Sequence, residues 1–267
     1  MLRFFFKLFT ILKYRILFAL NKVDRPLVRQ AEYMGAAILV RANEDVGALI
    51  LARLFEKDDL LYLLSKIKKT DIFFDIGANV GLFSIVISKK LPDIEIHAFE
   101  PIPLNVSLFK ASLCLNDIDS VIVNQCCVGD FKGEVDFSLS VDSAYSSIHS
   151  TGMRKELKVI SSDITTIDSY AKEKNIQRID IMKIDVEGAE NLVINGSASV
   201  FSNPSLRPRL ILMELYDDHF KKFDTSIKKV VSLLGQYGYK PFIFENKIKT
   251  KFIDRHHNRM CNVFFEL

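Results

Sequence analysis

Residues 72–100 constrain the fold of this chain more than any other stretch. Ile72, Phe73, Phe74, Asp75 and Ile76 form a short, almost wholly apolar run, and Gly77-Ala78-Asn79-Val80-Gly81 interrupts it. Residues 82–90 then resume helical apolar spacing, and Glu95-Ile96-His97-Ala98-Phe99 forms a second run that ends in Glu100. Strand, glycine turn, helix and strand in this order make a β-α-β unit, whose parallel strands must be covered on both faces. An open α/β sheet binds ligands at the carboxyl ends of its strands. There Gly77 and Gly81 would let the backbone approach an adenosine-bearing cofactor, and Glu100, roughly 20 residues past the second glycine, would take two ribose hydroxyls.

The turn is D-x-G-x-N-x-G rather than G-x-G-x-x-G. A dinucleotide needs bare amides and a helix N-terminus facing its phosphates, and an acid at the mouth of the turn would repel them. S-adenosyl-L-methionine has no phosphate. It carries a sulfonium and an ammonium, which Asp75 and nearby carbonyls would face favourably. Asp75, Gly77, Asn79, Gly81 and Glu100 are therefore the expected cofactor contacts. Glycines serving only close helix packing are the alternative.

The runs Asp75-Ile-Gly-Ala-Asn-Val-Gly-Leu-Phe-Ser, Phe99-Glu100-Pro101, Lys183-Ile-Asp185-Val-Glu187-Gly188-Ala189-Glu190 and Leu212-Met213-Glu214 together resemble the FkbM family of class I S-adenosylmethionine-dependent methyltransferases. The similarity covers about residues 43–244. It implies an α/β, Rossmann-like fold with a seven-stranded, mostly parallel sheet and helices on both faces. It also implies S-adenosyl-L-methionine as donor and, most often, oxygen methylation of sugars, glycans or secondary metabolites. Residues 1–30 then form a basic amphipathic helix and link, and residues 31–267 the methyltransferase domain.

With 49% apolar and 26% charged residues, the composition is that of a globular enzyme. A formal charge of +3 is too small to argue for a nucleic-acid partner, and none is expected. Cys114, Cys126, Cys127 and Cys261 show no C-x-x-C spacing, so reduced thiols and a cytoplasmic location are expected. In residues 1–20, Arg3, Lys7, Lys13 and Arg15 cut every apolar window. A spanning helix needs ~20 uninterrupted apolar residues, and a secretory signal is equally poor. Residues 1–22 fit either a basic helix lying on the inner face of a membrane or a helix docked on its own domain or on another protomer. Oligomeric state stays open.

Further along, strand and helix patterns alternate. A strand is expected around Ile38-Leu39-Val40, helices at 58–69 and 103–116, and a third central strand at 121–123. Val128-Gly129-Asp130 follows, where Asp130 either accepts from the adenine amine or is an ordinary turn acid. An added strand at 134–139 leads into the serine-rich 140–158, a candidate mobile loop over the site. Then come a helix beginning within 165–173, strands at 179–184 and 210–213, a helix at 224–237 and a final antiparallel pair at 239–244 and 262–265.

On this order an acid, Asp75, Glu100, Asp130, Asp185 or Glu214, follows each of five strands. Methyl transfer to a hydroxyl needs a base, and a positioned one contributes ~10²- to 10⁴-fold. Asp185 is the expected base or acceptor anchor, with Glu187 its neighbour or a helix-start acid favoured by the dipole. Lys183 would pair with one of these acids. His219 is the alternative base, and His149 could act if its loop closes. His256-His257 are expected in solvent and His97 in sheet packing. The expected site has no metal, although Asp185, Glu214 and Asp217 could supply oxygen ligands to Mg²⁺. Two rivals stand beside a methyltransferase. One is a nicotinamide oxidoreductase using the Tyr170/Lys174 spacing, and the other is a noncatalytic module bound to a membrane surface.

Overall fold

The computed structural model describes residues 27–140, 146, 156–245, 248–253, 256 and 260–267. Among the described residues the first elements are an antiparallel hairpin, β1 (Val28–Tyr33) and β2 (Ala36–Arg41), so β1 begins inside the segment expected as a link. Helices α1 (Asp45–Leu51) and α2 (Lys57–Lys66) follow. The second ends earlier than expected, because Ile67 turns extended at φ −78°, ψ 142°.

The alternating core then unfolds as β3 (Ile72–Ile76), α3 (Leu82–Lys90), β4 (Glu95–Phe99), α4 (Pro103–Leu115) and β5 (Val121–Asn124). A side sheet follows, made of β6 (Cys127–Val128), β7 (Gly133–Ser140) and β8 (Glu156–Thr165). The chain returns through α5 (Ile167–Glu173), β9 (Ile181–Ile184), α6 (Glu190–Asn195), α7 (Ala198–Ser202) and β10 (Leu210–Leu215). It closes with α8 (Asp217–Phe220), α9 (Ile227–Gln236), β11 (Lys240–Glu245), β12 (Ile248–Lys251) and β13 (Cys261–Glu266).

Among the described residues the central sheet has eight strands in the order β12-β11-β13-β10-β9-β3-β4-β5. β10, β9, β3, β4 and β5 run parallel, and β13 is antiparallel beside β10. Seven of the strands are the expected Rossmann-like set. The eighth, β12, gave no apolar signal because Lys249, Thr250 and Lys251 alternate with solvent at an edge, where charge also blocks unwanted pairing. Strand succession reverses between β3 and β9, which opens a crevice at their carboxyl ends.

Burial follows from the apolar runs. Phe73 packs on one face of the sheet with Ile85, Ile87 and Ile96, and Phe74 packs on the other with Met182, Ile211 and Phe265. Helix α3 is buried from Leu82 to Ser88, on every side rather than on a stripe. The hairpin explains this, since it covers the outer side of α3 and is fastened to α4 where Ser112 Oγ and Asn116 Oδ1 accept from the amides of Leu39 and Ala37. Among the described residues no helix is long and apolar enough to cross a membrane. Residues 1–22 and most of the serine-rich stretch, including His149, lie outside the described residues, whereas its end, from Glu156, is strand β8.

Candidate active site

The turn after β3 is built by backbone bonds. The amides of Gly77 and Ala78 both donate to Phe99 O, at 3.0 and 2.9 Å, which locks the turn onto the end of β4. Gly77 and Gly81 have φ of +77° and +79°, a region costly for side-chain-bearing residues. A Cβ on Gly77 would lie 1.8 Å from Asp185 O, and one on Gly81 2.1 Å from the Phe109 ring. Both glycines are thus required by protein packing. Gly77 still lines the cavity, whereas Gly81 begins α3 outside the lining, contrary to the expected ligand contact.

Asp75 also differs from expectation. It lies within β3, 1% exposed and outside the cavity lining, and Ser84 Oγ donates to its Oδ2 at 2.6 Å. Burial pushes its carboxyl upward, against the pull of Lys183 and Ser84. Its work is to tie β3 to α3 beneath the turn.

Glu100 is where the sequence placed it, just past β4 and lining the cavity. Asn79 N donates to its Oε2 at 2.9 Å, while Ile102 N and Asn105 Nδ2 donate to Oε1 at 3.0 Å each. Arg41 Nη2 donates to Asn105 Oδ1 while its Nη1 pairs with Glu44 Oε1, extending the network into the hairpin. Burial nevertheless raises Glu100 to about 7, against these hydrogen bonds and Arg41. Asn79, at φ +52°, lines the cavity as expected. Asp130 is exposed and outside the lining; Cys126, Cys127 and Val128 occupy that wall instead. Both cysteines are free thiols, pushed up to about 11 and about 12 mainly by burial.

Across the cavity, Lys183 is 5% exposed and its Nζ donates to Asp185 Oδ2 at 2.8 Å. Burial opposes its charge, yet Asp185, Asp75 and Glu56 together lift it above the ordinary lysine range. Glu56 comes from the turn before α2 and was not foreseen. Burial raises it to about 7, with Lys183 pulling down and Asp185 pushing up. Glu214 sits inside β10 rather than beyond it and faces the same cavity, raised well above the usual range first by burial and then by Asp185, Glu56 and Glu190. Glu190 holds the intervening loop by accepting from Val186 N and Gly188 N, and burial raises it to about 7.

Glu187 lines the cavity at φ +58°, and its Oε2 lies 3.2 Å from Nδ1 of His219. His219 is 2% exposed and outside the lining, which removes it as a base acting directly on an acceptor. Burial, then Lys222, lowers it to about 4, so its contact with Glu187 is made as a neutral ring near pH 7. Asp217, expected among possible metal ligands, instead accepts from Ile227 N at the start of α9. The grouping that forms is Glu187, Glu214 and His219, with donor atoms within 4.8 Å of one another.

Among the described residues, Tyr170, His97 and His256 pack away from the cavity. Tyr170 Oη contacts His97 Nδ1 at 2.8 Å and accepts from Asn124 Nδ2 at 3.1 Å, away from the cavity, so the Tyr170/Lys174 spacing forms no oxidoreductase site. His256 is buried rather than solvated, with Nδ1 accepting from Ile253 N, and His257 lies outside the described residues.

The cavity these groups enclose is ≈ 230 Å³, walled by the glycine turn, the ends of β4, β9 and β10, and residues 45–56 from the N-terminal side. Glu56, Asp185, Glu187 and Glu214 face it with one lysine, which suits a cationic ligand.

The family model described as the methyltransferase FkbM domain matches residues 75–241. A methyltransferase FkbM of Streptomyces tacrolimicus, named for 31-O-demethyl-FK506, is 26% identical over 63% of this chain and 72% of its own length. Methyltransferase 1 of Beauveria bassiana is 23% identical over 65% of this chain and 70% of its own. Among solved structures, the METTL16 methyltransferase domain superposes with a TM-score of 0.49 at 13% identity, covering 87% of this chain and 73% of that one.

Proposed function

The chain belongs to the methyltransferase FkbM domain family, and from that premise we propose that it transfers a methyl group from S-adenosyl-L-methionine to a hydroxyl of a sugar, glycan or other hydroxylated small molecule. The observation that carries this reading is the pairing of two features of one cavity. Glu100 stands where a ribose would be gripped, and a carboxylate-rich floor around Asp185 lies at the reversal of strand order. The residues fit the donor, because its two cationic groups would face carboxyl oxygens of Glu56, Asp185 and Glu214 across the cavity floor, and a bound cation would favour the ionised form of these acids. When bound, the donor supplies an electrophilic methyl, whose carbon–sulfur bond breaks with its electron pair left on sulfur as the carbon–oxygen bond forms.

Glu100 is fixed by three donors, two on Oε1 and one on Oε2, which leaves a lone pair on Oε2 to accept from a ribose hydroxyl. Asn79 and Val128 border the adenosine end. Lys183 holds Asp185 through Oδ2, which leaves Oδ1 to accept the acceptor's proton as its oxygen is methylated. Orienting that oxygen is the larger part of the task, since alignment alone can exceed the contribution of a base. Oxygen as the methylated atom is supported by the Streptomyces relative, whose name puts the methyl on 31-O. We further propose a cytoplasmic enzyme whose residues 1–22 touch the membrane face, with no nucleic acid as partner.

The test is incubation with labelled methyl donor and cell-envelope or lipid-linked glycan fractions alongside hydroxylated small molecules. Label in an alkali-stable ether product supports the reading. Label only in protein, nucleic acid or amines contradicts it.

A further inference from the structure

We propose that Glu187, Glu214 and His219 bind a divalent first-row transition ion, Mn²⁺ being the probe of choice, at the acceptor end of the cavity. The donor atoms of the three side chains already lie within 4.8 Å of one another, and the Glu187 and His219 atoms are 3.2 Å apart. Two ligands at ~2.1 Å from one ion stand about 3.0 to 3.5 Å from each other, so this pair has the spacing of a shared ion, and Glu214, within 4.8 Å of both, is near enough to join it by a small side-chain adjustment. The three come from different places, the loop after β9, the end of β10 and the helix after it, so the grouping is a product of the fold and not of local sequence.

The donor set has its own chemistry. One imidazole with two carboxylates suits Mn²⁺, Zn²⁺ or Fe²⁺ better than Mg²⁺, which prefers oxygen alone. Three protein ligands leave coordination positions open, as in catalytic rather than structural sites. Glu187 and Glu214 line the cavity while His219 lies behind them, so the open positions face the cavity and not the protein. Charge points the same way. Glu214 is surrounded by Asp185, Glu56 and Glu190, with Lys183 the nearby cation that offsets them, and a divalent ion would relieve that excess. The ion's role rests on the methyl transfer proposed above: a hydroxyl bound to it would ionise more readily, its proton passing to Asp185. No electron is gained or lost by the ion.

The test uses the full chain stripped with a chelator and titrated with Mn²⁺, following the free-ion electron paramagnetic resonance signal. One equivalent should disappear from solution, and pulsed measurements on the bound ion should show coupling to a single imidazole nitrogen. Zn²⁺ should displace the Mn²⁺. Glu187→Gln and Glu214→Gln should each weaken binding at least tenfold, while Asp217→Asn, three residues from Glu214, should leave it unchanged. Absence of stoichiometric binding, absence of nitrogen coupling in the unmodified protein, or equal loss in Asp217→Asn would each overturn the site. S-adenosylhomocysteine binding is measured separately without metal. If that ligand binds and Mn²⁺ does not, the metal site fails and the donor reading stands; the reverse result condemns the donor reading alone.

Discussion

Replacing Lys183 with methionine is the most demanding test of the electrostatic account. The side chain is 5% exposed, its ammonium is 2.8 Å from Asp185 Oδ2, and it also offsets Asp75 and Glu56. Methionine keeps most of the volume, so the change removes charge more than packing. Breaking a buried pair by deleting one partner costs about 3 to 5 kcal/mol, a large share of the roughly 5 to 15 kcal/mol that holds a domain together. The loss should depend on pH with a definite sign. Glu56 already sits at about 7 against an ordinary 4.5, and without Lys183 it and its neighbours rise further. A carboxyl raised in the folded state binds its proton more tightly there than when unfolded, so stability falls as pH climbs from about 4.5 through the raised value. The gap between native and Lys183→Met protein should therefore be widest above pH 7 and shrink towards pH 5. Urea unfolding at pH 5 and pH 8 measures it. An equal deficit at both values would show that lost packing dominates, and a deficit below about 1 kcal/mol at pH 8 would refute the reasoning.

Three further outcomes follow from the site. Glu100→Ala should weaken S-adenosylhomocysteine binding by about 1.5 to 3 kcal/mol for each charge-assisted bond lost, measured by calorimetry; unchanged affinity would remove its ribose role. Asp185→Asn should lower turnover by ~10²- to 10⁴-fold while leaving donor affinity nearly intact, and normal turnover would place the base elsewhere. Gly81→Ala should destabilise the fold, because the new Cβ would overlap the Phe109 ring at 2.1 Å and φ is +79°; overpacking costs about 1 to 3 kcal/mol. A melting temperature unchanged in that variant would mean the turn is not packed as described.

The β-α-β alternation was legible because parallel strands covered on both faces must be apolar throughout, as in Phe73, Phe74 and Ile76. Glu100 was legible for a similar reason, since strand length and helix length together set where the second strand ends. Side-chain direction was harder to see. Asp75 and Asp185 both stand near strand ends, yet one points beneath the turn to Ser84 and the other into the cavity. Glu56 could not be anticipated, because a residue 127 positions before Lys183 in sequence reaches it only once the hairpin folds over α3. His219 looked well placed from its nearness to β10, but the turn of α8 carries it behind Glu187. β12 escaped notice because an exposed edge hairpin carries no apolar pattern.

The central claim, a cationic adenosyl donor seated between Glu100 and the acid-rich floor, is tested most directly by titrating the purified chain with S-adenosylhomocysteine and with S-adenosylmethionine in a calorimeter. The account predicts one molecule bound per chain, tighter for the cationic donor above pH 7 than at pH 5, because Glu56, raised to about 7, is ionised only at the higher pH. No heat with either ligand, or binding of the donor that is indifferent to pH, would contradict it.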